Sequence, residues 1–441
     1  MTVLNLVRVG LSLLFAVSSC IASNNNCMAQ QPNIAGRVIQ SSTLTVSSIP
    51  PLVPQRAIKS IPKTVEVYQY DNSPLGNRQP LLLIHGLLGE SHPLFRWQQL
   101  AEYLSQDQEF QNRFKIYLAR YNSKSSLKEI TEGFNHAFRE LAPTGGLSIV
   151  AISLSGAIVR DAMRDPAVDK SISRVLTLGS FFRGSPLFCA DWMQQSIRKR
   201  HLSPLYRIER SLGYKVYFAH HQNLLRDFAW DNVDGQMPIL SPKFARAHPD
   251  LATSSGEKVK LSDAEQQPSD RKFIVYAGYL RNQYFPHSQG ALHTFLISPL
   301  TFCRTTLPGF FGRERPALRL LNYLIADAIP RKSGSANIIY PLNDGISPIS
   351  SSLLLSNDFV AHSCFSNQEF IDNIRTHSNA MKPRLFENTD HLTFIEGPKP
   401  IGSAGDVTDV LSIGEKPRPM FAWILNDLLE LNICQSINTS K

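Results

Sequence analysis

The stretch Val150-Ala151-Ile152-Ser153-Leu154-Ser155-Gly156-Ala157-Ile158-Val159-Arg160 decides the fold. A short apolar run ends at Ile152, which is typical of a strand buried on both faces, and residues 155–164 have helical spacing. A tight strand-to-helix turn strains the backbone and needs small residues two positions before and after its central residue. Ala151 and Ser155 meet this need, so the stretch predicts a nucleophile, Ser153, at the end of a strand.

The same alternation of elements continues on both sides of this stretch. Short apolar runs predict further buried strands at residues 80–84, 114–118, 175–178 and 272–276, and helical spacing occurs at residues 94–104 and 127–141. Elements in this order predict a mostly parallel, doubly wound α/β sheet with right-handed crossovers. We therefore expect the ligand site at the carboxyl ends of the strands.

The composition excludes several classes of protein. With 441 residues, 43% of them hydrophobic and 18% charged, the chain fits one large domain or up to three small ones. It is not a collagen, a long coiled coil or a wholly disordered protein. The six cysteines show no spacing typical of a metal site. If processing removes Cys20 and Cys27, four remain, and the sequence does not choose among their three pairings.

Residues 150–160 resemble the nucleophile elbow of the α/β-hydrolase superfamily, in particular of bacterial triacylglycerol lipases and carboxylesterases. The usual form of this motif is Gly-x-Ser-x-Gly. In this chain Ala151 replaces the first glycine and Ser155 the second, so the motif is degenerate. The resemblance therefore depends on matches elsewhere in the chain.

Four further segments supply those matches. His85-Gly86-Leu87 resembles the segment that supplies an oxyanion donor, and residues 175–186 resemble the strand and Gly-Ser loop that follow the elbow. Residues 343–348, Asn-Asp-Gly-Ile-Ser-Pro, resemble the loop of the catalytic acid, and residues 390–394, Asp-His-Leu-Thr-Phe, that of the base. Together they cover most of residues 64–434, in the order Ser, Asp, His that the α/β-hydrolase fold requires.

The resemblance implies a role for each matching residue. Ser153 is expected to be the nucleophile, His391 the general base and acid, and Asp344 the group that orients the imidazole. The backbone N–H groups of Leu87 and Leu154 are expected to form the oxyanion hole. No cofactor and no metal are expected. Thr393 stands where some related lipases have a calcium-binding aspartate, so calcium is not predicted.

Some of these positions have rivals. Ser155 is an alternative nucleophile, because its neighbours two positions away are also small. His362 and His377 also follow the acid in sequence, but neither lies in an Asp-His-Leu-Thr-Phe context. Asp358 is an alternative acid that lacks the following glycine of a tight loop.

Two long connections predict helical insertions that act as a cap or lid over the active site, at about residues 187–271 and 280–340. Aromatic residues cluster in or near the first insertion, where they either line an acyl-chain tunnel or form ordinary core: Phe181, Phe182, Trp192, Tyr206, Phe218, Phe228 and Trp230.

The N-terminus has the pattern of an export signal. Arg8 precedes an apolar run at residues 9–17 that is too short to span a bilayer comfortably, which predicts a signal peptide over residues 1–22. Val17-Ser18-Ser19-Cys20 resembles a bacterial lipobox, so a lipid anchor and a soluble secreted or periplasmic protein both stay open, as does an uncleaved anchor. Residues 23–62 predict a flexible linker, residues 63–434 the hydrolase domain and residues 435–441 a tail.

The net charge of +9 is concentrated in one part of the chain. Residues 183–335, which span both insertions, hold 21 Lys and Arg against 12 Asp and Glu, and the remainder is balanced at 24 against 24. No aromatic-basic motif accompanies this charge, so a nucleic-acid partner is not expected. An anionic membrane surface that meets the cap is the expected partner, beside the substrate.

The sequence thus predicts an exported serine carboxylic-ester hydrolase, a lipase or esterase, that acts on lipids or other acyl esters through an acyl-enzyme intermediate. An acyltransferase or a thioesterase would use the same triad. A hydrolase-like binding protein without catalytic activity is the alternative from another class.

Overall fold

The computed structural model describes residues 37–40, 47–48, 65–87, 89–182, 184–185, 188, 228, 267–280, 342–355, 367–396, 406–412 and 414–438. The predicted signal peptide, residues 1–22, and nearly all of both predicted insertions lie outside these ranges. Among the described helices, none is long and apolar enough to cross a membrane.

The domain is built on a nine-stranded sheet in the order β2-β1-β3-β5-β4-β6-β7-β8-β9. The strands are β1 Arg37–Gln40, β2 Ser47–Ser48, β3 Glu66–Gln69, β4 Gln79–Ile84, β5 Phe114–Arg120, β6 Leu147–Ile152, β7 Ile172–Leu178, β8 Phe273–Tyr279 and β9 Lys382–Glu387. From β5 to β9 all neighbours are parallel, and the pairings among β1, β2, β3 and β5 are antiparallel. This order and these directions confirm the predicted α/β-hydrolase fold.

Helices cover both faces of the sheet. The described helices are α1 Gln98–Leu104, α2 Gln108–Arg113, α3 Leu127–Leu141, α4 Leu154–Ala162, α5 Pro166–Ser171, α6 Ile349–Ser352, α7 Asn367–His377, α8 Thr393–Glu396 and α9 Met420–Asn438. At the start of α3, the side chain of Ser126 accepts from Glu129 N–H and the Glu129 carboxylate accepts from Ser126 N–H. This reciprocal pair satisfies N–H groups that the first turn of a helix leaves without a partner.

The two faces of β4 show why its sequence is apolar throughout. Leu82 and Ile84 belong to a core that includes Phe134 of α3 and Ile158 of α4. Leu81 and Leu83 belong to a second core, which includes Leu100 of α1 and Trp423 of α9. Since successive strand side chains point to opposite faces, a strand covered on both sides needs apolar residues at every position.

The ends of the chain's elements differ from prediction in places. The helix predicted from residue 94 begins at Gln98, because Leu94, Phe95 and Arg96 have positive φ values of 43°, 54° and 69°. Strands β1 and β2 lie within the segment predicted to be a linker and extend the antiparallel edge. Helix α9 continues to Asn438, into the segment predicted to be a tail.

The topology brings two loops together at the carboxyl edge of the sheet. Strand β4 pairs with β5 on one side and with β6 on the other, so the direction of strand succession reverses at β4. Ile84 near the end of β4 lies opposite Ala151 near the end of β6. The loops that begin at His85 and Ser153 therefore leave the sheet side by side, at the kind of switch point where α/β proteins bind ligands.

Candidate active site

Ser153 occupies a sharp turn between β6 and α4. Its φ and ψ are 62° and −130°, a backbone conformation that residues other than glycine rarely adopt. The residue is 7% exposed. Its N–H donates to the carbonyl of Leu178 at the end of β7, at 2.9 Å. A strained, over-determined residue of this kind is common at functional sites. Ser153 thus has the strained strand-to-helix turn that the sequence predicts at this position.

Two glycines permit the close packing around this turn. A Cβ at Gly86 would lie 2.9 Å from Ser153 Cβ, and one at Gly156 would overlap the Ser180 hydroxyl and lie 2.6 Å from Ser180 Cβ. Heavy atoms do not approach so closely without a shift of the structure, so both positions need glycine. The sequence predicted a need for small residues at Ala151 and Ser155, but not the need for glycine at positions 86 and 156.

The predicted acid and base are hydrogen-bonded to each other. His391 Nδ1 lies 2.8 Å from Asp344 Oδ2, and His391 N–H donates to the Asp344 carbonyl at 3.0 Å. The other carboxylate oxygen, Oδ1, accepts from the N–H groups of Ile346 at 2.9 Å and Ser347 at 2.6 Å. The two backbone N–H donors at Oδ1 suit a carboxylate, which only accepts. With the same role at Oδ2, the carboxylate favours the tautomer in which His391 Nδ1 carries the proton and Nε2 is the acceptor.

Gly179 connects this pair to the elbow. It follows Leu178, whose carbonyl accepts from Ser153 N–H, and a Cβ at Gly179 would lie 2.7 Å from Asp344 Oδ2 and 2.9 Å from His391 Nδ1. The elbow and the acid-base pair thus adjoin consecutive residues at the end of β7. In the described part of the chain, no hydrogen bond joins Ser153 Oγ to His391. Catalytic hydrogen bonds of this kind often tighten only when substrate is bound.

The two predicted oxyanion donors are available. Leu154 is the first residue of α4, so its N–H has no acceptor within the helix, and Leu87 lies in the turn after β4. Within the described residues, neither N–H donates a hydrogen bond. Gly86, the residue before Leu87, packs directly against Ser153.

The structure distinguishes the predicted site residues from those of their rivals that it describes. Ser155 Oγ is fully buried, and its single proton is directed at main-chain carbonyls, with Ile152 O at 2.6 Å and His85 O at 2.7 Å. It is therefore not a free nucleophile. His377 lies at the end of α7, whereas His391 holds the carboxylate of Asp344. His362 and Asp358 lie outside the described residues.

A polar cluster beside the elbow was not predicted. The buried carboxylate of Glu90 accepts from Ser123 N–H at 3.1 Å and from Ser123 Oγ at 2.7 Å. His85 stacks on Tyr121, with ring centroids 4.2 Å apart. Burial lowers the pKa of His85 to about 4, so this imidazole is neutral at ordinary pH. No local sequence signal marks Tyr121 or Ser123, because their partners lie more than thirty residues away.

The described residues contain no group of three or more His, Cys, Asp or Glu side chains that could hold a metal ion. Thr393 instead donates through its N–H and its hydroxyl to Asp390 Oδ1, at 2.9 and 2.8 Å. These bonds brace the turn that carries His391.

No protein-family model and no curated protein sequence matches the chain. Among solved structures, the chain is similar to a lipase of Bacillus licheniformis in its mature form, at 13% identity and a TM-score of 0.34 over 76% of this chain and 94% of that one. An esterase of Thermogutta terrifontis matches at 14% identity and a TM-score of 0.25, over 50% and 77% of the two chains. A haloalkane dehalogenase of Agrobacterium tumefaciens matches at 12% identity and a TM-score of 0.28, over 48% and 76%.

Proposed function

We propose that this protein is a serine carboxylic-ester hydrolase, with Ser153 as nucleophile, His391 as general base and acid, and Asp344 as the orienting acid. The observation that carries the proposal is the buried hydrogen bond of 2.8 Å between His391 Nδ1 and Asp344 Oδ2, at the sheet edge where Ser153 occupies a strained elbow. Nucleophile, base and orienting group in one place are the requirements of acyl transfer.

The acylation step uses the lone pair of His391. Nε2 takes the proton of Ser153 Oγ as this oxygen bonds to the ester carbonyl carbon, and the carbonyl electron pair moves to oxygen. The N–H groups of Leu87 and Leu154 stabilise that oxyanion. Asp344 stabilises the imidazolium. When the tetrahedral intermediate collapses, the bond to the alcohol breaks and His391 returns the proton to the leaving oxygen.

Deacylation repeats the sequence with water. His391 removes a proton from water as its oxygen attacks the acyl carbon, and returns that proton to Ser153 Oγ when the acid leaves. The chemistry needs no cofactor. An acyltransferase would replace this water by another acceptor, and a thioesterase would act on a sulfur ester, so both are outcomes of the assays below.

Labelling with a fluorophosphonate probe tests the proposal. We expect the wild type to become labelled and to hydrolyse p-nitrophenyl esters, and Ser153→Ala to do neither. Ser171→Ala is the matched control, because Ser171 is buried and its hydroxyl donates to Val168 O, at 2.8 Å, in a helix away from the site. Equal labelling of wild type and Ser153→Ala would contradict the assignment.

A second assay separates substrate classes. Initial rates on p-nitrophenyl esters of increasing acyl length, with and without an oil-water interface, distinguish an esterase from a lipase. Parallel reactions with a thioester, and with a competing alcohol as acceptor, measure thioesterase and acyltransferase activity. Labelling without turnover of any ester would favour a binding protein that has kept the triad.

A further inference from the structure

Ser155, the residue that stands in place of the second elbow glycine, links two strands. Its buried Oγ lies within hydrogen-bond distance of the carbonyls of Ile152 at 2.6 Å, His85 at 2.7 Å and Ile84 at 3.2 Å. Ile84 ends β4 and Ile152 ends β6. One hydroxyl therefore spans the ends of the two strands whose loops carry the oxyanion donors. The glycine of the usual motif has no side chain to make this link.

Tyr121 also forms hydrogen bonds with His85. Its hydroxyl donates to the His85 carbonyl at 3.0 Å, and its N–H donates to His85 Nε2 at 3.2 Å. The two rings stack at an interplanar angle of 4°. The His85 carbonyl thus lies within hydrogen-bond distance of two hydroxyls, that of Tyr121 and that of Ser155, whose single proton it shares with the Ile152 carbonyl. The imidazole of His85 is held on one face and at one nitrogen.

The imidazole of His85 then fixes the orientation of the peptide group between Gly86 and Leu87. Because Nε2 accepts from Tyr121 N–H, the proton of the neutral ring lies on Nδ1, which donates to the Gly86 carbonyl at 2.6 Å. This carbonyl and the Leu87 N–H belong to one planar trans peptide, so they point in opposite directions. Fixing the Gly86 oxygen therefore fixes where the Leu87 N–H points.

The packing leaves His85 little freedom to move. A Cβ at Gly89 would lie 2.7 Å from His85 Nδ1, so the turn closes directly over the ring. Gly89 N–H also donates to the Gly86 carbonyl, at 3.1 Å, as a second donor to the same oxygen. A hydrogen-bond donor stabilises a developing oxyanion best when it is already oriented before the charge forms. The contacts of His85 and Gly89 orient the Leu87 N–H in this way.

We propose that the hydroxyls of Ser155 and Tyr121 are positioning groups of the oxyanion hole, which act through His85 on the Leu87 amide. The proposal rests on the proposed ester hydrolysis and adds to it the residues that align one oxyanion donor. Neither hydroxyl touches the substrate. Their loss should therefore weaken transition-state stabilisation and leave substrate binding nearly unchanged.

The test compares Ser155→Ala and Tyr121→Phe with two matched controls. Ser171→Ala removes a buried serine hydroxyl away from the site, and Tyr276→Phe removes a buried tyrosine hydroxyl that donates to Asp427 Oδ2 at 2.6 Å. Each variant is assayed on a p-nitrophenyl ester and on its thionoester. The C=S group of the thionoester accepts hydrogen bonds weakly, so the ratio of the two rates reports on the oxyanion hole rather than on general damage.

We expect kcat on the oxygen ester to fall about tenfold in Ser155→Ala and Tyr121→Phe, at little-changed KM. The rate on the thionoester should fall less, so the ratio falls, and both controls should keep the wild-type ratio. Since both hydroxyls act on one carbonyl, the double variant should lose less than the product of the single losses. If Ser155→Ala fails to fold, Tyr121→Phe, which removes one oxygen and keeps the ring stack, decides the question.

Two outcomes would overturn the proposal in distinguishable ways. If the wild type neither labels with the fluorophosphonate nor hydrolyses either ester, the proposed function fails and the positioning role fails with it. If the wild type is active but Ser155→Ala and Tyr121→Phe keep its rate ratio, or the controls lose the ratio equally, only the positioning role is wrong.

Discussion

Arg160 and Asp270 form a buried ion pair with two hydrogen bonds, Nε to Oδ1 at 2.7 Å and Nη2 to Oδ2 at 2.9 Å. Arg160 lies in α4, the helix that Ser153 opens, and Asp270 lies in the turn that leads into β8. Asp270 Oδ2 also accepts from Gln267 N–H at 3.0 Å. The pair therefore anchors α4, which begins directly after Ser153, to the start of β8. Just beyond the other end of β8, Leu280 N–H donates to the carbonyl of Asn343, the residue before Asp344.

Removal of this carboxylate should destabilise the protein strongly. Asp270→Ala leaves the buried guanidinium of Arg160 without this carboxylate, and we expect the free energy of unfolding in urea to fall by about 3–5 kcal/mol. The control is Asp372→Ala, because the ion pair of Asp372 with Arg375 is solvent-exposed, with 58% of the Asp372 side chain accessible. Such pairs contribute less than about 1 kcal/mol. Equal losses would show that the buried pair is not an anchor.

The bond between Asp344 and His391 leads to a kinetic prediction. In Asp344→Asn the amide donates where the carboxylate accepted, so the His391 proton should shift to Nε2 and leave no lone pair for Ser153. We expect kcat on a p-nitrophenyl ester to fall by about 10⁴ at nearly unchanged KM. Urea unfolding measures whether the fold is intact. Wild-type kcat in this variant would contradict the orienting role assigned to Asp344.

The close contact of Gly156 with Ser180 leads to a prediction about packing. Gly156→Ala places a methyl group where the Ser180 hydroxyl lies, and we expect a loss of about 1–3 kcal/mol in urea unfolding. Ser180→Gly in the same chain removes the obstructing side chain and should recover part of the loss. A double variant no more stable than Gly156→Ala alone would place the strain elsewhere, with Thr177 Cγ2, 2.9 Å from the added Cβ, as the next neighbour.

The sequence predicted the central strands and the tight turn at Ser153 because the signals for both are local. Continuous apolar runs such as residues 147–152 mark strands covered on both faces, and the elbow is a short motif at the end of one. Strand β9 gave no such signal, since Lys382 and Arg384 interrupt it. Arg384 is nevertheless buried, because its guanidinium donates to Asp427 at 2.6 Å and to Asp409 at 2.9 Å. Those partners are distant in sequence, so their pairing could not be foreseen.

The same limit applies to the site. Asp344 and His391 were predicted because each lies in a recognisable loop, and the structure joins them. The contacts of Tyr121 and Ser155 with His85 were not predicted. They depend on three-dimensional proximity at the carboxyl ends of β4, β5 and β6, and no spacing in the chain reveals it.

The lowered pKa of His85 leads to a prediction about pH. Burial lowers this pKa from 6.5 to about 4, against a smaller opposing effect of Glu90 and a smaller reinforcing one of Arg120. Between these pH values the unfolded chain binds more protons at this residue than the folded one, so stability rises with pH. The contribution is complete above pH 6.5 and is lost as the pH falls toward 4.

Urea unfolding at two pH values measures this contribution. Between pH 7 and pH 5, the wild type should lose about 2 kcal/mol more than His85→Asn, in which the amide N–H replaces the Nδ1 donor and nothing titrates. The comparison between proteins removes the effect of other titrating groups. An equal loss in both would mean that the folded protein tolerates a charged His85.

The charge of residues 183–335 leads to a prediction about surfaces. This segment has nine more Lys and Arg than Asp and Glu, whereas the rest of the chain is balanced. We propose that it meets an anionic lipid surface, so vesicles that contain phosphatidylserine should bind the protein more tightly than pure phosphatidylcholine. Binding measured by cosedimentation should weaken as salt rises from about 10 mM to about 500 mM, because salt screens exposed charges.

A pair of variants separates a local effect of this segment from net charge alone. Changing Arg198, Lys199 and Arg200 to Gln removes three positive charges from the basic segment. Changing Lys124, Lys128 and Arg139 to Gln removes three exposed charges from the balanced remainder. Only the first variant should lose binding to anionic vesicles, by about 1 kcal/mol per residue at low salt. Equal losses in the two variants would mean that the excess of positive charge acts through the total charge of the protein. Vesicle binding that does not depend on lipid charge would contradict the proposed anionic membrane partner.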